Sequence, residues 1–130
     1  MQRKYAGIGA IIMLLSVALG AFGAHVLKPI IGEEMLGTYE TGVHYQMIHG
    51  IGMILASIAA AFGGSASKWR WANILFLIGT ILFSGSLYLI ALTGWKWFGP
   101  ITPLGGVSFI AGWLMFILAA WDKTQQNSSK

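Results

Sequence analysis

The sequence predicts an all-α integral-membrane protein, a four-helix bundle with both termini in the cytoplasm. Three observations carry this reading. The 130-residue chain is 56% hydrophobic and only 9% charged, against about 25% charged residues in an ordinary soluble domain, and a soluble protein this small has too little interior to hide so much apolar side chain. Four segments, residues 5–27, 41–62, 71–93 and 101–121, contain no Lys, Arg, Asp or Glu, and each is close to the ~20 residues that cross ~30 Å of hydrocarbon at 1.5 Å per residue. The basic residues are unevenly shared: Arg3, Lys4, Lys68, Arg70, Lys123 and Lys130 flank one side of these spans and only Lys28 and Lys96 the other, which places the termini inside by the positive-inside rule. The same distribution answers the net charge of +4: it is spread over the flanks and forms no patch for nucleic acid. Residues 1–123 form one domain, and the polar residues 124–130 form a disordered tail.

Taken in order, the first span follows Arg3-Lys4. It ends in the small-residue segment Ala21-Phe22-Gly23-Ala24, as a secretory signal would, but its apolar run exceeds the 7–15 residues of a signal core, so it reads as a retained helix. Pro29 is expected to stop it. The connection that follows, Lys28 to Glu40, is the longest and carries Glu33, Glu34 and Glu40. It faces outward and has helix formers enough for a short interfacial helix leading into span two. Gly63-Gly64-Ser65-Ala66-Ser67-Lys68 is a flexible turn into span three. After the connection Gly94 to Pro100, Thr102 is expected to cap span four and Pro103 to be its first helical residue. Trp69, Trp71, Trp95, Trp97 and Trp121 stand at span ends, where an interfacial aromatic belt belongs. A short echo between residues 8–11 and 78–81 is too slight to mark a repeat.

Lipid offers no hydrophobic drive for helix association, so the helices must approach across small residues. The stripes expected to do this are Ser16, Gly20 and Ala24 in span one, and Gly52, Ala56 and Ala60 in span two. They are Gly79, Ser86 and Thr93 in span three, and Gly105, Ser108 and Gly112 in span four. At helical spacing, Tyr45, Gln46, His49, Gly52, Met53, Ala56 and Ala60 share one face of span two, and His44, Ile48, Ile51, Leu55, Ile58 and Phe62 form the opposite, lipid-facing side.

The segment Tyr45-Gln46-Met47-Ile48-His49 is the main candidate site, because each unpaired polar group in a bilayer costs roughly 2–7 kcal/mol. His49 falls about 5–6 Å from the midplane, whereas His44 and His25 lie about 12–13 Å out, all in the outer half; the inner half looks nearly featureless. Two readings of His49 stand side by side. In one it is a structural hydrogen-bonding residue joined to Gln46, a neighbouring Ser or Tyr, or a carbonyl; in the other it is a proton relay or ligand contact. His25 and Tyr88 are expected to face it. No metal or haem is expected, since no histidine pair is spaced i, i+3 or i, i+4, and His25 and His49 differ in depth. Glu40 and His44 read as a solvated interfacial pair. Ser84, Ser86 and Tyr88 read as hydrogen-bond donors within the bundle. Serine catalysis lacks a base in reach. Gly105-Gly106 leaves backbone N–H groups for an anion or, equally, allows close packing. The absence of cysteine removes disulfide and thiolate chemistry.

Four ordered motifs, Gly20-Ala21-Phe22-Gly23-Ala24-His25, Glu40 through His49, Phe83-Ser84-Gly85-Ser86-Leu87-Tyr88, and Gly99 through Gly106, resemble the domain of unknown function 423 family across nearly the whole chain outside the tail. These are small bacterial inner-membrane proteins with four predicted helices, related to the eukaryotic transmembrane protein 256 group. The resemblance implies a multi-pass protein of the bacterial plasma membrane. It also implies that His25, Glu40, Tyr45, Gln46, His49, Ser84, Ser86, Tyr88, Thr102 and Pro103 belong to the family pattern, while His44 does not. It implies no activity. The expected function is a non-enzymatic scaffold or accessory module that binds membrane lipid, a protein partner or a second copy of the chain and uses no cofactor. The alternative is a carrier or pore with an outward-half polar site around His49.

Overall fold

Residues 3–59 form a helical stretch that is broken at Gly32, where the chain doubles back on itself. The computed structural model describes residues 1–122; the expected polar tail, 124–130, lies outside them. Helix α1 (Arg3–Phe22) runs through a π-helical turn, Gly23–Leu27, directly into α2 (Lys28–Ala59). Pro29 does not end the first helix: the π-helical turn Gly23–Leu27 leads straight into α2, and Pro29 stands in its first turn. The break falls at Gly32, whose φ of 82° and ψ of 167° are open essentially to glycine alone. Beyond it the helix continues to Ala59, with no separate interfacial helix. The fold-back brings Gln2 beside Ser57, whose carbonyl accepts from the Gln2 backbone N–H at 3.2 Å.

Helix α3 (Ala66–Gly79) starts at Ser65, whose hydroxyl accepts from the Lys68 backbone N–H. A second π-helical turn, Thr80–Ser84, joins it to α4 (Gly85–Thr93), which ends on left-handed Gly94. After a short 3₁₀ turn, Lys96–Phe98, helix α5 spans Ile101–Trp121. Thr102 is not its cap: Pro100 holds that position, and the Thr102 hydroxyl meets Ser86 instead.

The described residues hold three helical stretches long and apolar enough to cross a membrane, 3–59, 66–93 and 96–121. The expected four separate helices are therefore corrected to three, since the first two spans share one run. Its halves nevertheless lie antiparallel, with Gly9 against Gly50: a Cβ on Gly9 would sit 2.8 Å from the Gly50 carbonyl oxygen. Helix α2 packs against α1 on one side and α3–α4 on the other, and α5 packs on α3.

Small residues set these approaches, as expected for Gly52, Ala56, Gly79, Ser86, Gly105, Ser108 and Gly112, all buried. On α1 the stripe is displaced: Gly9, Ile12 and Ser16 are buried, while Ala24 is exposed. Thr93 too is exposed and Ala60 only half-buried. One apolar cluster joins Ile12, Met53, Ala72 and Phe76. A second holds Leu27, Tyr39, Val43 and Ala91 near the Gly32 end; a third holds Ala56, Trp69 and Ala119 near the termini. Trp69 is thus no belt residue: it is 3% exposed, and its indole N–H donates to the Gly63 carbonyl at 2.9 Å. Trp71, Trp95, Trp97 and Trp121 are exposed.

Candidate functional site

Helix α2 carries the polar cluster because its seams with α1, α4 and α5 meet along the Gln46–His49 face. Gln46 and His49 are 5% and 3% exposed. Tyr45, expected on the same buried face, is 40% exposed, at the edge where α2 meets α5.

Both nitrogens of His49 are engaged. Its Nδ1 lies 2.7 Å from the Tyr45 carbonyl oxygen, and its Nε2 lies 3.0 Å from the indole nitrogen of Trp113. An indole N–H can only donate, so Nε2 must accept, and the proton of the neutral ring sits on Nδ1, donated to Tyr45. The imidazole stacks on Phe109, with centroids 3.5 Å apart and planes 10° from parallel, and meets Phe76 edge-on at 5.4 Å. Trp113 was not among the expected site residues, yet it had a signal: it is the tryptophan in mid-span, where an N–H needs a partner.

Gln46 faces the other way. Its amide N–H donates to the Ile12 carbonyl on α1 at 3.0 Å, and its Oε1 accepts a short bond from the Tyr88 hydroxyl on α4. Tyr88 lies over Gly42, where a Cβ would sit 2.7 Å from the ring. The carbonyl of Gly42 accepts from the Ser84 hydroxyl at 2.7 Å. The Ser86 hydroxyl pairs with that of Thr102, joining α4 to α5. Gln46, Tyr88 and Ser84 therefore staple α1, α2 and α4, while His49 and Trp113 staple α2 and α5. His25 joins neither group: it is exposed in the first π-helical turn and makes no side-chain hydrogen bond among the described residues. Glu40 and His44 are exposed and line one cavity of about 470 Å³ between α1 and α2, without forming an ion pair.

The half expected to be featureless holds a second polar node. Asn73, wholly buried on α3, donates to Gln2 Oε1 at 3.0 Å and to the Ser57 hydroxyl at 3.3 Å, and Ser57 donates to the Met53 carbonyl at 2.6 Å. Asn73 Oδ1 has no hydrogen-bond partner among the described residues. An amide inside an apolar span is the criterion that selected Gln46, and it would have selected Asn73 too.

A groove of about 690 Å³ opens sideways between α2 and α5, with His44, Tyr45, Ile48, Phe83, Phe109, Ile110 and Trp113 among its walls and His49 at its base. The lining of this groove does not include His25, Gln46 or Tyr88. The cluster read from sequence is thus divided by the structure between a sealed staple and an apolar groove.

The family model described as "Protein of unknown function (DUF423)" matches residues 19–106. The chain belongs to this family. Among DUF423 relatives, a UPF0382 membrane protein of Staphylococcus haemolyticus is 42% identical over 114 residues, 88% of this chain and 92% of its own length. The UPF0382 membrane protein YwdK of Bacillus subtilis is 43% identical over 87% of this chain and 92% of its own. The UPF0382 inner membrane protein YgdD of Escherichia coli K12 is 42% identical over 85% of this chain and 84% of its own. No solved structure matches the chain. It is therefore an all-helical membrane protein of a DUF423 lineage whose function is unknown, and the site has to be read from its own geometry.

Proposed function

We propose that the chain is a non-enzymatic module of the plasma membrane that holds a lipid in the groove between α2 and α5, crossing the membrane four times with both termini in the cytoplasm. The topology is supported by the fold-back at Gly32, which gives the first helical run two antiparallel lengths, and by the gathering of Arg3, Lys4, Lys68 and Arg70 at the end where Gln2 meets Ala66.

The observation that carries the lipid reading is the groove itself. Its volume, about 690 Å³, is within the range of about 300–1,000 Å³ of small-molecule sites. It opens on the face that a bilayer would cover, its walls are aromatic and aliphatic, and its buried histidine already has both nitrogens bonded to protein. A groove whose walls are mostly apolar, whose buried histidine is already satisfied and whose other polar side chains, His44 and Tyr45, are exposed suits an acyl chain rather than a hydrophilic solute.

The test is to purify the protein in a mild detergent and count the phospholipid that remains bound by mass spectrometry. Ile110, 64% exposed on the groove wall, is replaced by Trp to fill the groove. Wild type is expected to retain lipid, and Ile110→Trp to lose it at unchanged thermal stability. Lipid-free wild type, or a variant that holds lipid as wild type does, would refute the reading.

A further inference from the structure

Toward the Gly32 end, beyond the groove, lies a separate cavity of about 480 Å³ of different chemistry, lined by Glu34, Thr38, Lys96 and Thr102 as well as apolar residues. The two are built from the same helix faces. On α5, Thr102 and Gly106 are one turn apart; along the chain from the π-helical turn into α4, so are Phe83 and Leu87; on α2, Thr38 and Tyr45 are two turns apart. The charged cavity and the apolar groove therefore lie one after the other along the same helix faces. At the charged end a carboxylate and an ammonium share a cavity, and neither Glu34 nor Lys96 has an ion-pair partner among the described residues.

Resting on the lipid reading above, we infer that the bound lipid is a zwitterionic phospholipid with a primary amine, of the phosphatidylethanolamine type. Glu34 takes the headgroup ammonium, Lys96 takes the phosphate, and an acyl chain enters the groove beside Tyr45 and Phe109. Charge complementarity selects this head: a glycerol headgroup offers Glu34 no cation, and a choline headgroup offers it no N–H. The apolar groove in line with the cavity favours a lipid over a free zwitterion, because a water-soluble headgroup would leave the groove unused.

The full chain is purified from membranes containing both phosphatidylethanolamine and phosphatidylglycerol, and the retained ratio is compared with that of the membrane. Wild type is expected to be enriched in phosphatidylethanolamine. Glu34→Gln is expected to bring the ratio back to that of the membrane, and Lys96→Met to lower retention of both lipids roughly tenfold, the loss expected for one charge-assisted bond. Both residues are exposed, and matched thermal stability checks that the variants are folded. Retention that Ile110→Trp abolishes, but whose ratio in wild type equals that of the membrane or is unchanged by Glu34→Gln, overturns the headgroup assignment and leaves the groove reading standing. No retained lipid in wild type overturns both.

Discussion

Replacing Trp113 by Phe keeps an aromatic ring between α2 and α5 and deletes one proton donor. Because His49 Nε2 accepts from that indole at 3.0 Å, the variant leaves a buried acceptor without a partner. In soluble proteins such an orphan costs about 1–3 kcal/mol, but hydrogen bonds between membrane helices average about 0.6 and reach about 1.7 kcal/mol, so about 1 kcal/mol is expected here. His49→Ala loses the same bond, leaves a void, and also removes the stack on Phe109, which alone is worth about 0.5–1.5 kcal/mol; about 2–4 kcal/mol in all is expected. Since the two substitutions delete one shared interaction, the double variant should lose less than the sum, with a coupling of about 0.5–1.5 kcal/mol. Equilibrium unfolding in mixed micelles, followed by circular dichroism, measures all three. Strict additivity, or a Trp113→Phe chain as stable as wild type, would refute the bond and the Nδ1-protonated form of His49 derived from it.

Gly9→Ala pushes a Cβ to 2.8 Å from the Gly50 carbonyl oxygen, whereas Gly7 has open space around it; the first should lower stability by about 1–3 kcal/mol and the second should leave it unchanged or slightly raised. Gly32→Ala forces a Cβ into a backbone region open essentially to glycine and should cost about 1–3 kcal/mol, read as a lower unfolding midpoint and faster proteolysis between α1 and α2. Gln46→Leu leaves the Tyr88 hydroxyl without its partner and takes one of two side-chain donors from the Ile12 carbonyl, which keeps the Ser16 hydroxyl, and should cost about 1–3 kcal/mol. Asn73→Leu also loses two donated bonds but removes an oxygen that has no partner, so its net loss should stay below about 1 kcal/mol. Equal losses for the two amides would contradict the difference in their satisfaction.

The helical character, the apolar stretches and the inward face of α2 were legible in sequence because each rests on a strong local signal. Met53 and Ala56 are fully buried and Ile48, Ile51, Leu55 and Ile58 exposed, as a period of 3.6 residues requires. What failed depends on where the chain bends and which helices meet. Pro29 is a helix stop by propensity, but the helical turns pass through it, and the turn is made by the backbone freedom of Gly32. The stripe on α1 is Gly9, Ile12 and Ser16 rather than Ser16, Gly20 and Ala24, because the place where α1 touches α2 follows from that turn and not from α1 itself. His25 and Tyr88 were both expected opposite His49. Tyr88 is instead held by Gln46, and His25 stays on the outside. Pairing across helices needs rotation and register, which no single segment encodes.

The division of the cluster bears on the choice between holding and carrying. A carrier that used His49 and Gln46 would have to exchange their bonds with Trp113, Ile12 and Tyr88 for bonds to solute, and restore them in every cycle. At about 0.6–1.7 kcal/mol for each bond within a membrane, opening the three together costs about 2–5 kcal/mol, which solute binding would have to repay from a pathway that also connects both sides. Occupying the groove between α2 and α5 breaks none of these bonds, since its buried histidine is already saturated. The same bonds hold α2 at fixed spacing from α4 and α5, and so set the width of the groove. On this argument, Gln46→Leu, at a residue outside the groove lining, should reduce lipid retention only as far as it reduces stability, whereas Ile110→Trp should reduce it alone.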